Sequence, residues 1–143
     1  MAIYSMGGVG GVGTTGVAST EIIAAATDKP KIMEISISQT AATASLFGLG
    51  RPAAIGVTPT SPVTLVDEQD GNGPAGLTKT AVAWGTPPTV PTVFLRRLST
   101  VAAIGAGIIW TFPRGLGMPI NGSVVIWNAG TNSSVHFHVV ADE

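Results

Sequence analysis

Two histidines near the end of the chain have the residue types and spacing that come closest to a metal site. His136 and His138 are two residues apart, and Glu143 follows five residues after His138. Residues two apart on a β-strand face the same side, so both imidazoles can reach one metal ion. The alternative is a last strand with both histidines on its exposed face and its apolar positions inward: Val135, Phe137 and Val139. We favour this alternative and assign no metal, cofactor or catalytic residue.

The spacing of Gly130, His136, His138 and Glu143 resembles the first metal motif of cupins. That resemblance implies a metal-dependent enzyme in which both histidines and Glu143 hold one metal ion. Two departures weigh against it. The sequence stops at Glu143 with no following strand or final glycine, and it has no second motif with a third histidine. A cupin-like enzyme is therefore kept as an alternative only.

The glycine-rich start of the chain contains a literal G-x-G-x-x-G at Gly8, Gly10 and Gly13. A phosphate-binding loop of the Walker type needs a lysine, and residues 1–28 contain neither lysine nor arginine. A dinucleotide fold also needs parallel strands joined by helices. Residues 6–16 hold six glycines, which lose much backbone entropy on ordering. We therefore predict no nucleotide site, and instead a glycine-rich N-terminal arm over residues 1–19 followed by one domain over 20–143.

Nucleophilic catalysis has no convincing residue set in this sequence. The two histidines lie together, no G-x-S-x-G occurs, and Asp67, Glu68 and Asp70 fall in a segment typical of a solvated loop. The chain is predicted not to be an enzyme.

Arginines and tryptophans are the strongest candidates for contacts with other proteins. Arg96 and Arg97 interrupt an apolar strand, and alternation places their guanidinium groups on opposite faces. One of them should point toward the interior or an interface, where a carboxylate partner from this chain or a neighbouring subunit is expected. The alternative is an ordinary arginine on an edge strand. Trp84, Trp110 and Trp127 fall in predicted strands, where core packing is the default, although such rings also anchor subunit contacts or stack on sugars.

Alternating apolar and polar residues predict about eight short strands. The clearest example is residues 31–38, where Met33, Ile35 and Ile37 share one face. The same pattern occurs at 78–84, 93–98, 108–112, 123–128 and 135–139, and more weakly at 20–26 and 46–51. Clusters of Gly, Pro, Asn and Asp separate these segments and turn the chain. The prediction is an all-β, single-domain antiparallel β-sandwich or jelly roll.

Composition restricts the partners of this domain. Charged residues make up 10% of the 143 residues, against about 25% in an average soluble domain. The net charge is −1, so no broad basic field is available for nucleic acid or anionic lipid. The longest apolar run, at 101–110, is far shorter than the ~20 residues of a membrane-spanning helix. A glycine-rich, charge-poor surface is expected to be covered by other protein, which favours an assembly subunit without a small-molecule substrate.

Residues 110–128 resemble the closing strands of small β-sandwich virion proteins of tailed bacteriophages, with the sequence Trp-Thr-Phe-Pro-Arg-Gly-Leu-Gly-Met-Pro-Ile-Asn-Gly-Ser-Val-Val-Ile-Trp-Asn. The opening Met-Ala-Ile-Tyr-Ser at 1–5 and the basic segment Phe-Leu-Arg-Arg-Leu at 94–98 fit the same family. The resemblance implies a capsid cement or decoration protein, made in the host cytoplasm and placed on the capsid surface of the virion. Such a protein is typically a homotrimer whose partner is the major capsid protein.

The resemblance also implies which residues form contacts. The arm would lie across an adjacent subunit or the shell, and the expected interface residues are Ile3, Tyr4, Met6, Val9, Val12, Arg96, Arg97 and Trp127. The main alternative is a carbohydrate-binding jelly roll of a tail or host-recognition structure, with Trp84 or Trp127 exposed. No nucleic acid or membrane partner is expected.

Overall fold

The fold is an all-β sandwich in a single domain, as the sequence predicts. A computed structural model describes residues 2–11, 16–68, 73–130 and 134–143, which form strands and no helix. The strands are β1 Ile3–Gly10, β2 Val17–Ile23, β3 Lys31–Gln39, β4 Ser45–Gly50, β5 Val57–Pro59, β6 Val63–Thr64, β7 Val66–Asp67, β8 Lys79–Ala81, β9 Trp84–Thr86, β10 Arg96–Thr100, β11 Gly107–Gly117, β12 Ser123–Asn128 and β13 Val135–Asp142.

Two antiparallel sheets contain most of these strands. The first sheet has the order β11-β3-β13-β1-β7, and the second has the order β10-β4-β12-β2-β8-β6. The long strands change sheet at each step along the chain, except that β4 and β10 are neighbours in the second sheet. Strands β5 and β9 form a separate small sheet. The lateral edges of the sandwich are therefore β10 with β11 on one side and β6 with β7 on the other.

The main core fills the space between the two sheets. Alternate residues of β13 and of β3 from Ile35 onward point inward from the first sheet, as does Ile32 before a register shift at Met33, and alternate residues of β2, β4 and β12 meet them from the second. The fully buried members include Ile22, Ile32, Ile35, Leu49, Val124, Ile126 and Val139. This period of two is the pattern on which the sequence-based strand prediction rests.

A long excursion over residues 51–95 connects β4 to β10 and covers the outer face of the second sheet. Ala18, Val125 and Trp127 lie on that outer face, and Trp84 and Phe94 from the excursion pack against them as a second cluster. Because this layer lies outside the sheet, β12 is buried on both faces over its whole length. The strand predicted at 123–128 is confirmed, but the outer face of β12 is covered by the excursion and lies in the protein interior.

The glycine-rich start differs from the predicted arm. Residues 3–10 form β1, which pairs with β13 from Ile3–Asp142 to Gly10–Val135 and with β7 on its other side. The glycines permit close packing: a Cβ on Gly8 would lie 2.7 Å from the Phe137 ring, and one on Gly10 would lie 2.5 Å from Ser19 Oγ. The segment is therefore glycine-rich because neighbours approach it closely; β13 covers one edge along its whole length, and β7 covers the other edge at Tyr4 and Ser5.

Two predicted strand boundaries also differ. The segment 78–84 is divided between β8 and β9, which belong to different sheets, because a bend at residues 82–83 carries the chain across to pair with β5. The strand predicted at 93–98 begins at Arg96, since Phe94 leaves the edge to pack on the outer face of the second sheet.

Candidate interaction surfaces

The two histidines lie on the outward face of β13. His136 is exposed and His138 is half-buried, whereas Val135, Phe137 and Val139 point into the core. This confirms the alternation predicted for the last strand. The strand neighbours of His136 are Ser38 and Val9, and those of His138 are Ser36 and Gly7. No carboxylate or further imidazole is directly opposite either histidine.

Glu143 does not join the histidines. Its carboxylate accepts hydrogen bonds from the backbone N–H groups of Leu77 and Thr78, each at 2.7 Å. Odd-numbered and even-numbered residues of β13 face opposite sides, so Glu143 follows the strand on the side away from His136 and His138. Over the described ranges, no three His, Cys, Asp or Glu side chains form a group that could hold a metal ion. The cupin-like ligand set is not assembled.

We expect zinc to have little effect on this protein. A metal bound only to the folded state raises the free energy of unfolding by RT ln(1 + [L]/Kd), and two imidazoles alone provide half of a tetrahedral site. Thermal unfolding with 100 µM ZnCl2, about the concentration that saturates a micromolar site, should show a midpoint within about 1 °C of the metal-free value. A rise of several degrees that His136→Ala with His138→Ala abolishes would contradict this placement of the histidines.

The described glycines of the literal G-x-G-x-x-G lie in a strand and not in a loop. Gly8 and Gly10 lie within β1 and Gly13 falls outside the described residues. A phosphate-binding loop needs these glycines in a turn before a helix, with their backbone N–H groups free for the ligand. Here Gly8 and Gly10 are paired with Phe137 and Val135 instead.

Several of the predicted interface residues belong to the core. Tyr4 is buried and Trp127 is completely buried, so neither side chain can contact a partner in this conformation. Met6 packs against the main core and accepts a hydrogen bond at its Sδ from Thr80 Oγ1 at 3.0 Å. Ile3 is half-buried and Val9 is 56% exposed. Val12 lies outside the described residues. From β1, therefore, Val9 is the predicted contact with the most accessible side chain.

The paired arginines are both exposed on the edge strand β10. Arg96 lies over the Phe112 ring at 5.9 Å, and its Nη1 donates a hydrogen bond to Leu95 O. Arg97 lies over the Phe94 ring at 5.2 Å. They point to opposite sides of the strand, as predicted. Each guanidinium group therefore packs on a phenylalanine ring where a carboxylate partner was expected. An edge strand permits this because both guanidinium groups stay hydrated.

A buried carboxylate that sequence reasoning missed fixes the excursion to the second sheet. Glu21 on β2 is fully buried, and its side chain accepts hydrogen bonds from Ser123 Oγ at 2.6 Å, Trp84 Nε1 at 2.7 Å and Gly56 N at 3.2 Å. All three donors are neutral N–H or O–H groups. Two of the three come from the excursion. This arrangement makes Glu21 a structural anchor, and it leaves no face of Trp84 or Trp127 fully open for stacking on a sugar.

One end of the sandwich has no charged residue on three neighbouring connections. We call this surface the charge-free end and define it as residues 40–44, 101–106, 129–130 and 134. Backbone hydrogen bonds tie these segments together: Thr40 N donates to Ser134 O, and Ala129 N donates to Leu46 O. The exposed fractions of Val101 and Ile104 are 71% and 74%. Two large aliphatic side chains therefore project from a surface that offers no charge.

Gln39 fixes the backbone of the loop at residues 101–106, which carries Val101 and Ile104. Its Nε2 donates to Val101 O at 2.8 Å and to Ala103 O at 2.7 Å, and its Oε1 accepts from Thr100 Oγ1 at 2.6 Å. Gly105 N and Ala106 O are bonded to the Gln39 backbone. The amide is itself buried. Because the backbone of this loop is already fixed, the loop loses little conformational entropy when it binds a partner.

A groove of about 610 Å³ adjoins the charge-free end between β3 and β11. Its lining has no ionisable group and consists of small polar, glycine and isoleucine residues: Ser36, Ile37, Ser38, Gly105, Gly107, Ile108 and Ile109. Such a lining lacks an acid, base or metal ligand for catalysis and suits a contact with an apolar protein segment.

Within the described residues, no helix is long and apolar enough to span a membrane. No family model, curated protein or solved structure matches this chain.

Proposed function

We propose that this chain is a structural subunit of a tailed-phage virion that binds the major capsid protein as a capsid cement or decoration protein. The observation that carries the proposal is the charge-free end, where Val101 and Ile104 are exposed on a loop held by Gln39. Interface cores are depleted in charge and contain apolar anchors. In this proposal, the charge-free end is the surface that meets the shell.

The energetics suit an assembly role. Burying two large aliphatic side chains contributes about 3 to 5 kcal/mol before the costs of association. A single copy would therefore bind weakly, whereas a homotrimer that engages three sites at once gains avidity. This is the reason we propose a homotrimer on the capsid surface and a role that requires no catalytic residue.

We further infer a jelly-roll topology for the eight long strands. Their orders are β11-β3-β13-β1 and β10-β4-β12-β2, with the chain passing between sheets at successive connections. Eight strands distributed in this way over two sheets are expected of a jelly roll, an architecture that viral capsid, lectin and cupin domains share. This topology supports a virion role by analogy, but it does not distinguish viral capsid domains from lectins and cupins. The buried Trp127 and the engagement of Trp84 by Glu21 count against the lectin-like class.

The proposal is tested by co-sedimentation with empty expanded shells of the major capsid protein encoded by the same genome. Replacing both exposed aliphatic residues, Val101→Ser with Ile104→Ser, should weaken shell binding at least about tenfold, because their burial is lost. The matched control is Val93→Ser, since Val93 is 76% exposed but lies on the excursion. Binding that falls equally for both variants, or for neither, would contradict the assignment of the charge-free end.

A further inference from the structure

The two lateral edges of the sandwich carry opposite charge. On one side, β10 contributes Arg96 and Arg97, and β11 contributes Arg114; all three are exposed. Arg51 joins them, because its Nη2 donates a hydrogen bond to Gly117 O at the end of β11 at 2.6 Å. We call this surface the basic edge. Strands β10 and β11 contain no acidic residue, and Glu34 on the neighbouring strand β3 lies opposite Thr111 of β11.

The opposite side is acidic. Strand β7 contains Asp67, and the exposed Glu68 follows it, while β6 and β7 contain no lysine or arginine. Glu143 lies beside them, since it binds the backbone of Leu77 and Thr78 ahead of β8. We call Asp67, Glu68 and Glu143 the acidic edge. The cation nearest to it is Lys79 on β8.

The charges of the two edges cannot neutralise each other within one copy. Four strand spacings separate β11 from β7 in the first sheet, or about 19 Å at 4.8 Å per strand. That distance exceeds a Debye length of about 8 Å at physiological salt. Neighbouring copies placed side by side bring the same charges into contact.

Both edges also present edge strands with apolar side chains. Within the described residues, β11 and β7 end the first sheet and β10 and β6 end the second, so each has a described strand neighbour on one side only. Ile109 on β11 is 61% exposed, Val66 on β7 is 60% exposed and Val63 on β6 is 50% exposed. Exposed edge strands with this character are templates for pairing with another chain.

We propose that the basic edge of one copy docks against the acidic edge of the next copy. The partner for both surfaces is thus a second copy of this chain, in a head-to-tail contact. A heterologous contact of this kind closes into a ring when its rotation permits and otherwise continues as a filament. The inference rests on the proposed function, because the proposed function requires that copies assemble. It specifies which surfaces meet in the proposed trimer.

Charge reversal tests this contact without shells. The basic edge is reversed by Arg96→Glu with Arg114→Glu, and the acidic edge by Asp67→Lys with Glu68→Lys. Each variant should self-associate at least tenfold more weakly than the wild type in sedimentation equilibrium at 50 mM NaCl. A chain with both edges reversed should recover association to within about threefold, because the complementarity is restored. Raising NaCl to 500 mM should weaken the wild-type contact.

Two controls keep the test decisive. Thr86→Glu adds a negative charge at an exposed position of β9, a strand of the separate small sheet that belongs to neither edge, so association should be unchanged. If the acidic-edge double variant does not fold by circular dichroism, Glu68→Lys alone replaces it. A monomeric wild type, or association that neither reversal alters, overturns the inference. Shell binding distinguishes a failure of this inference from a failure of the proposed function. The proposed function fails when the assembled wild type does not bind shells.

Discussion

Deleting residues 2–11 abolishes cooperative folding if β1 is a structural strand of the sandwich. The deletion removes a strand that lies between β13 and β7, together with Tyr4 from the main core. One edge of β13 would lose its backbone partners from Val135 to Asp142, and β7 would lose its only strand neighbour. The free energy of unfolding of a domain is typically about 5 to 15 kcal/mol, and we expect the loss of β1 and of Tyr4 from the core to exceed it. Differential scanning calorimetry should therefore show no unfolding transition for the truncated chain.

A graded version of the same experiment uses single substitutions in β1. Gly8→Leu forces a side chain into the Phe137 ring and should cost about 1 to 3 kcal/mol. Val9→Ser, at the neighbouring outward position, should change stability by less than about 0.5 kcal/mol, because Val9 is exposed. A truncated chain that unfolds cooperatively within a few degrees of the intact protein would instead make this segment a dispensable arm.

Replacing Glu21 with alanine should destabilise the protein by about 3 to 5 kcal/mol. The substitution leaves the donors of Ser123, Trp84 and Gly56 without their acceptor, and an unsatisfied buried donor costs about 1 to 3 kcal/mol. Water can reach the half-buried Trp84 and Gly56, which keeps the total below the sum of three full penalties. Urea unfolding measures this difference directly.

Limited proteolysis separates this effect from general destabilisation. Two of the lost bonds tie the excursion to the second sheet, so Glu21→Ala should allow trypsin to cleave within residues 51–95, after Lys79, before the sandwich unfolds; Arg51 precedes Pro52 and is not a tryptic site. Glu34→Ala is the control, because Glu34 lies on the outward face of β3 in the other sheet. An unfolding free energy within about 0.5 kcal/mol of the wild type for Glu21→Ala would show that the buried network contributes nothing net.

Strands with regular alternation could be predicted from the sequence. From Ile35 to Ser38 in β3 and from Val135 to Val139 in β13, isoleucine, valine and phenylalanine face the core and alternate with serine and histidine. At the start of β3 a register shift at Met33 places Ile32 in the core, where the alternation predicted Met33. β1 was missed because glycine occupies two of its inward positions, where the neighbouring Phe137 and Ser19 fill the space that a side chain would take. Composition alone does not distinguish such a strand from a flexible arm.

The contacts of Glu21 could not be predicted, since two of its three donors lie on the excursion and the third lies on β12. The donors to Glu21 lie 35, 63 and 102 residues away in the sequence, so no local pattern reveals them. For Trp127 a signal was present: residues 124–127 form an unbroken apolar run, which indicates a strand buried on both faces rather than one with an exposed side. The charge-free end was missed because its connections are distant in sequence and meet at one end only through the sheet order.

Electron cryo-microscopy of expanded shells incubated with this protein tests the central claim most directly. The shells should be those of the major capsid protein encoded by the same genome, imaged with and without the added chain. The account predicts additional trimeric density on the outer surface, with the charge-free end toward the shell and Val101 and Ile104 in the contact. Shells without added density, or with density whose charge-free end faces solvent, would contradict it.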